Sequence, residues 1–426
     1  MTNQSEIILK LSGYNITRAE EVLRSIQSRP EGILQQQKFR KWEIFHHHIE
    51  RNDFYRSFVG VRDGTNWEDI PVITKFAYQQ PIANMITSGF KTGQLYIGNT
   101  SGSSGQPFVF AKDKFCHALA WALIKQRYNL YDISLNSLQA RFFGVPLTGK
   151  GTYIEKFKDK LLNRVRFPVF DLSEQSLLDF LNLFRKLGFE YLYGYANSIR
   201  HFCQFILTLD CCLKEICPTL KCVIVTAEMC SEHDRRIISR ASGVPCVIEY
   251  GASETGILGF EYTDGLCHAS DELFYFEVDE KGALLVTSLF NYAFPIIRYK
   301  IGDQIVLNKS LLSDGVVIEK ILGRSDDLIL LPNGKVAAGI SIYYCSKYIL
   351  EKLGSIREMY VTQSAVSEFK LFYIGEKTLD REDRKLIKKS FDIYLQPGLT
   401  IEFVKTNYIR RKSNGKLQIF HSELNS

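Results

Sequence analysis

Apolar positions along the chain recur with two different periods. Between residues 36 and 55, Phe39, Trp42, Phe45 and Ile49 fall three or four apart, which is the spacing of one face of an amphipathic helix. His46, His47 and His48 lie inside that stretch. Consecutive helical positions point in different directions, so the three imidazoles cannot converge on one metal, and one packed with one or two solvated is expected. A short apolar piece follows at 71–75, and two strand-like runs, 94–97 and 108–110, flank a loop at 99–107. Helical patterns at 115–131, 173–187, 196–209 and 231–241 then alternate with apolar strands at 221–226 and 245–250. Such alternation predicts an α/β fold, a sheet with helices covering its faces. Beyond residue 273 the runs shorten, with strands at 273–278 and 283–288 around the turn 279–282. Strands at 359–361, 368–374 and 401–404 with a charged helix at 381–395 read as a compact β-β-α-β unit. The polar, turn-prone stretch Gly323-Arg324-Ser325-Asp326-Asp327 separates the two styles. It predicts a large unit over 1–323 and a small α+β unit over 324–426.

Composition narrows the class. The 426 residues carry 53 Lys+Arg against 47 Asp+Glu, and 29 Phe with 22 Tyr supply far more burial than a disordered, collagenous or coiled-coil chain has. The longest apolar stretch, 203–227, is broken by Asp210, Lys214, Glu215 and Lys221, so no membrane-spanning helix is expected. Residues 1–10 lack the pattern of a secretory signal, which predicts a cytoplasmic protein whose ten cysteines stay reduced. Cys211, Cys212, Cys217 and Cys222 cluster without paired ligand spacing. One short basic cluster, Arg410 to Lys412, and a net charge of +6 argue against nucleic acid as a partner.

The candidate chemistry lies in three segments. The loop Thr100-Ser101-Gly102-Ser103-Ser104-Gly105 gathers hydroxyl and backbone N–H donors suited to phosphate. Gln106 follows its second glycine, which excludes the Walker pattern, and no G-x-S-x-G elbow occurs. Glu249-Tyr250-Gly251-Ala252-Ser253-Glu254 ends a strand with an aromatic that can stack on a purine, a glycine that admits close approach, and a carboxylate that can hold Mg²⁺. Arg298-Tyr299-Lys300-Ile301-Gly302-Asp303 adds a carboxylate able to accept two ribose hydroxyls; a turn aspartate is the plainer alternative.

Taken in order, these segments resemble the adenylate-forming superfamily, in particular its phenylacetate-CoA ligase-like branch with relatives from capsule-biosynthesis clusters. Thr226-Ala227-Glu228, Gly323-Arg324-x-Asp326-Asp327 and the late Arg411-Lys412-Ser413-Asn414-Gly415-Lys416 complete the set. The resemblance implies a large ATP- and acyl-binding domain and a small mobile domain carrying the catalytic Lys416, hinged at Asp326. It implies that Thr100, Ser101, Gly102, Ser103, Ser104 and Gly105 grip the phosphates of ATP and that Glu254 holds Mg²⁺. Ala227, Glu228, Glu249, Tyr250, Gly251 and Ser253 would surround adenine, with Asp303 and Arg324 at the ribose. Tyr193, Gly194 and Tyr195 would border the acyl pocket. The activity implied is formation of an acyl-AMP from a small carboxylate, followed by transfer to CoA, to the phosphopantetheine of an acyl carrier protein, or to an amine or hydroxyl such as a sugar. A non-catalytic nucleotide-binding relative is the alternative of another class, and a homodimer is compatible. Some relatives carry a Cys/His zinc site after the magnesium glutamate. Here Tyr262 stands where a cysteine is expected and only Cys267-His268 remain, so no zinc is predicted. Phe170-Asp171-Leu172-Ser173 fits an amino-acid-binding motif superficially and reads better as a helix cap.

Overall fold

The computed structural model describes residues 4–29, 31–60, 66–99, 108–143, 158–167, 174–227, 230, 232–313, 315–324, 328–334, 336–338, 340–353, 356–375, 377–407 and 420–425. Four helices come first: α1 (Gln4–Leu11), α2 (Ile16–Gln27), α3 (Ile33–Arg51) and α4 (Asp53–Val59). The helix expected over 36–55 is therefore two. Asn52 breaks it, because its Oδ1 accepts the Tyr55 N–H at 2.9 Å while its Nδ2 donates to Met85 O and Thr87 Oγ1, both at 2.9 Å. Of the expected apolar face, Phe45 is buried and Trp42 and Ile49 pack beside it, but its first position is not. Phe39 is 72% exposed, whereas Gln37 is buried and donates to the carbonyls of Asp271 and Phe274 at 2.8 Å. A polar side chain that hydrogen-bonds into the body can occupy a face that periodicity assigns to apolar residues.

Of the three histidines, His46 is exposed, His47 half-buried and His48 buried, as expected. His48 Nε2 meets Asn291 O at 2.9 Å and Nδ1 meets Thr87 Oγ1 at 3.1 Å. Burial pushes its imidazole down to about 3, so it stays neutral in the folded chain while an unfolded histidine would charge near 6.5. The unfolded state then binds the extra proton between those values. Stability should be full above about pH 6.5 and fall by roughly 1.4 kcal/mol per pH unit below it on account of this group. Urea titrations from pH 7 to 5 should show a shallower loss in His48→Gln than in the wild type; equal slopes would refute the assignment.

A parallel pair at β1 (Ile73–Thr74) fastens this helical layer to the main sheet, and the hairpin β2 (Tyr96–Asn99)/β3 (Val109–Lys112) precedes α5 (Lys114–Asn129). The flanking runs expected around the 99–107 loop are these two strands. β4 (Gln139–Phe142), β5 (Arg164–Phe167), α6 (Glu174–Lys186), β6 (Tyr191–Tyr195), α7 (Ala196–Thr208), β7 (Cys222–Thr226), α8 (Glu232–Ser242) and β8 (Cys246–Ala252) follow. These five strands are parallel, in the order β5-β4-β6-β7-β8. The sheet continues antiparallel through β9 (Gly256–Glu261), β10 (Cys267–Ala269), β11 (Phe274–Val278), β12 (Ala283–Ser288), β13 (Tyr299–Asn308) and β14 (Val317–Arg324). One face of the parallel half packs Phe142, Phe167, Leu192 and Val225 under α6 and α7, while α5 lays Tyr128 over Ile224, Val247 and Phe260 on the other. Chain order reverses between β4 and β6, since β5 lies on one side of β4 and β6 on the other. Open α/β sheets bind ligands outside the C-terminal ends of their strands at such a switch point.

The C-terminal part builds a separate sheet. β15 (Leu328–Leu330) and β16 (Val336–Ala338) pair, then come α9 (Ile340–Lys352), β17 (Ile356–Ala365), β18 (Glu368–Gly375), α10 (Arg381–Tyr394), β19 (Thr400–Lys405) and β20 (Phe420–Ser422). The four-stranded order is β19-β18-β17-β20, with Ile342, Val361, Leu371 and Phe391 in its own core. The expected β-β-α-β unit is present, enlarged by α9 and β20. No helix among the described residues is long and apolar enough to cross a membrane.

Candidate functional site

Of the residues expected at a nucleotide, the ends of β7 and β8 carry Ala227, Glu249, Tyr250 and Gly251, and the antiparallel half carries Asp303 and Arg324. Ala227, directly after β7, has φ +63. That left-handed conformation costs an alanine about 1 kcal/mol, a strain that clusters at ligand sites. On β8, alternation turns Glu249 and Tyr250 to opposite faces. Tyr250 donates its hydroxyl to Asp303 Oδ2 at 2.8 Å. Two segments that lie 53 residues apart in the chain are thereby joined. Asp303 stands in β13, opposite Arg324 of β14, and is a strand residue, not a turn aspartate. Four residues beyond Tyr250, the buried Glu254 accepts the Tyr299 hydroxyl on Oε1 at 2.9 Å. No described residue bonds its Oε2. The Lys112 ammonium lies in the same region, donating to Thr255 O at 2.9 Å, with burial lowering its pKa.

Glu249 faces the other way. Its carboxylate accepts Tyr193 OH on Oε1 at 2.7 Å and Tyr128 OH on Oε2 at 2.9 Å. Burial raises its pKa, while those hydroxyls and the Arg141 charge pull against the rise. The side chain expected to serve adenine is thus committed to the tyrosines of the neighbouring face. Tyr193, Gly194 and Tyr195 run along the C-terminal half of β6, and a Cβ on Gly194 would lie 2.3 Å from Phe142 O, which fixes how closely β4 and β6 approach. Phe143, just past β4, lies with ring centroids 5.4 Å from Tyr193 and 4.4 Å from Tyr195. Ser253 is exposed next to Glu254.

Thr100, Ser101, Gly102, Ser103, Ser104, Gly105, Glu228, Asp326 and Lys416 lie outside the described residues, as does the side chain of Arg324. Arg298, part of a matched motif, is turned away: Nη1 donates to the carbonyls of Glu68 and Ile70 at 2.6 Å, pinning that turn beneath β13. Sequence reasoning missed Tyr299, Tyr128, Phe143 and Arg141 as neighbours of the site. Tyr299 lies within its motif, but nothing in its spacing points to Glu254.

No family model matches the sequence. Protein CapK of Staphylococcus aureus is 22% identical over 405 residues, 90% of this chain and 87% of that one. Among solved structures, 2-hydroxyisobutyryl-CoA ligase in the postadenylation state with R3-HIB-AMP superposes with a TM-score of 0.61 at 16% identity, covering 91% of this chain and 88% of that one. The chain has the fold of the adenylate-forming enzymes. The same ligase with 2-HIB-AMP and CoA in the thioesterification state gives a TM-score of 0.57 at 16% identity over 94% of this chain and 92% of that one. The fold comprises a large sheet and a separate, smaller C-terminal sheet.

Tyr250→Phe tests the join between β8 and β13. Losing a hydroxyl donated to a carboxylate should cost about 1 kcal/mol and raise the KM for ATP roughly fivefold with kcat nearly unchanged. Unchanged ATP affinity in that variant would show that Tyr250 and Asp303 form no nucleotide subsite.

Proposed function

We propose that the chain is an ATP-dependent carboxylate-activating ligase that forms an acyl-AMP, releases pyrophosphate and passes the acyl group to a thiol, either CoA or a carrier-protein phosphopantetheine. The observation that carries this reading is the hydrogen bond from Tyr250 to Asp303, beside the Tyr299–Glu254 bond. Together they join the 249–254 segment to the 298–303 segment, which supports a shared site for adenine, magnesium and ribose.

The chemistry fits the residues. A carboxylate oxygen attacks the α-phosphorus, the bond to the β-phosphate breaks, and pyrophosphate leaves with the electron pair. A carboxylic acid is already ionised near pH 7, given a reference pKa of about 4, so no general base is needed. What the step needs is donors and positive charge around the phosphates. The loop from Thr100 to Gly105 and Lys416 would supply them. Glu254 would hold Mg²⁺: it is an oxygen ligand with one oxygen fixed by Tyr299 and without an ion pair among the described residues. When bound, the ion would withdraw charge from the phosphate oxygens.

The test is carboxylate-dependent exchange of labelled pyrophosphate into ATP across a panel of aryl, fatty and amino acids, with mass spectrometry of the adenylate. Exchange with at least one acid, abolished by removing magnesium, is expected. A chain that binds ATP and exchanges with none would be the non-catalytic relative. The stretch 330–335, Leu-Leu-Pro-Asn-Gly-Lys, differs from the CoA ligases, and the similarity to CapK accompanies it, which favours one second reading. In that reading the adenylate is transferred to an amine or hydroxyl of a sugar, and product analysis with CoA and with amino sugars separates the two.

A further inference from the structure

We propose that Arg141 receives a second carboxylate of the acyl substrate, so that the acid activated here is a dicarboxylate. This rests on the ligase reading above and adds the substrate class.

Arg141 stands on β4 directly opposite Tyr193 of β6, at the switch point of the parallel sheet. Its guanidinium lies over two rings, 4.3 Å from the centroid of Phe143 and 5.1 Å from that of Tyr193. Nη1 donates to Gln139 Oε1 at 3.1 Å, while Nε is buried and has no hydrogen-bond partner. Among the described residues Nη2 makes no bond either. The Nε/Nη2 edge of a guanidinium is the fork that matches the two oxygens of a carboxylate, and here that edge is the one without a partner among the described residues. Stacking fixes the plane of the fork and leaves it little to lose on binding.

Neighbouring charges leave the fork available. Glu249 makes no direct ion pair with Arg141 among the described contacts: its oxygens accept from Tyr193 and Tyr128, and the Arg141 charge acts on it at longer range. Arg166, the β5 partner of Arg141, is closed by Asp159 at 2.7 and 2.9 Å. Arg164 shares the face, paired with Gln139. Three arginines against Asp159 and Glu249 leave one positive charge at these strand ends. A buried guanidinium Nε without a partner is costly unless one arrives, and a ligand anion is the partner this edge would accept. Gln139, which accepts from Arg141, donates in turn to Tyr191 OH at 2.7 Å, so the arginine is held from behind. The acyl group would enter along Tyr193 and Tyr195 with its reacting carboxylate toward the nucleotide residues and its far carboxylate on Arg141.

The experiment uses the full chain with glutarate, adipate and isophthalate, each paired with pentanoate, hexanoate or benzoate. Pyrophosphate exchange and calorimetric binding without ATP are read for the wild type, Arg141→Met and Arg141→Lys. At least one diacid should exceed its monoacid by roughly 30-fold in kcat/KM, the worth of a charge-assisted bidentate contact. Arg141→Met should erase that preference through KM while monoacid turnover persists, and Arg141→Lys, which keeps the charge without the fork, should retain part of it. Monoacids that exchange as well as diacids in the wild type would overturn the role of Arg141 and leave the ligase reading standing. A preference that survives in both variants would do the same. If no acid supports exchange, the ligase reading falls, and calorimetry decides the rest: diacid binding lost in Arg141→Met supports the subsite, and no diacid binding in the wild type overturns it.

Discussion

Lys416→Ala is expected to slow adenylate formation by about 2–4 kcal/mol, roughly 30- to 900-fold, while sparing the second half-reaction. The reason lies in the charges of the first step alone. A carboxylate approaching an α-phosphate brings two anions together, and an ammonium between them acts where the repulsion is greatest. In the proposed second step the attacking group is a neutral acceptor such as a thiol and the leaving group AMP, so that ammonium has less to offset. The check is single-turnover kinetics, with ATP plus acid for the first step and with chemically made acyl-AMP plus acceptor for the second. Equal losses in both would mean that Lys416 supports the fold or binds AMP, and no loss in either would remove it from the chemistry. Lys416→Arg should recover little, because a planar fork replaces a compact point charge.

Helices were the readable part of this sequence. Over Glu232–Ser242 and Arg381–Tyr394, charges and apolar residues alternate at helical spacing, and α10 has Asp380 as its cap with Asp383 completing the box. The apolar strands β7 and β8 were equally plain, since a strand covered on both faces reads as a continuous apolar run. β4 and β5 were not. One face of each carries Gln139 and Arg141, or Arg164 and Arg166, and a strand with arginines on alternate positions looks like surface. Those arginines stand on β4 and β5 beside the switch point, so the feature that hid the strands is the one that sets the charge there. The same conflict explains α3, where Gln37 and His48 hold the buried face by hydrogen bonds and Phe39 is left outside. For the site, the motifs around Tyr250, Glu254 and Asp303 were legible as chemistry, but their mutual bonding was not. A tyrosine in a strand announces burial, and only the register of β13 beside its neighbours shows Tyr299 reaching Glu254 and Asp303 receiving Tyr250.

Gly251→Ala should lower stability by about 3 kcal/mol and reduce kcat/KM for ATP at least tenfold under conditions where the variant is still folded. β8 turns back into β9 over Gly251, Ala252 and Gly256, with an irregularity in register between Tyr250 and Gly251. A Cβ added at Gly251 would lie 2.2 Å from Gly256 O and 3.0 Å from its carbonyl carbon. Both neighbours are backbone, so no side chain can swing aside, and the hairpin itself must open. Tyr250 lies on one side of this pinch and Glu254 on the other. Opening it separates the hydroxyl from Asp303 and the carboxylate from Tyr299, which is why activity should fall beyond what the stability loss explains. Urea denaturation together with ATP titration separates the two effects. A Gly251→Ala chain that melts early but binds ATP like the wild type would show that the turn serves the fold alone, and one that loses ATP affinity at full stability would place the alanine methyl in the nucleotide's own space.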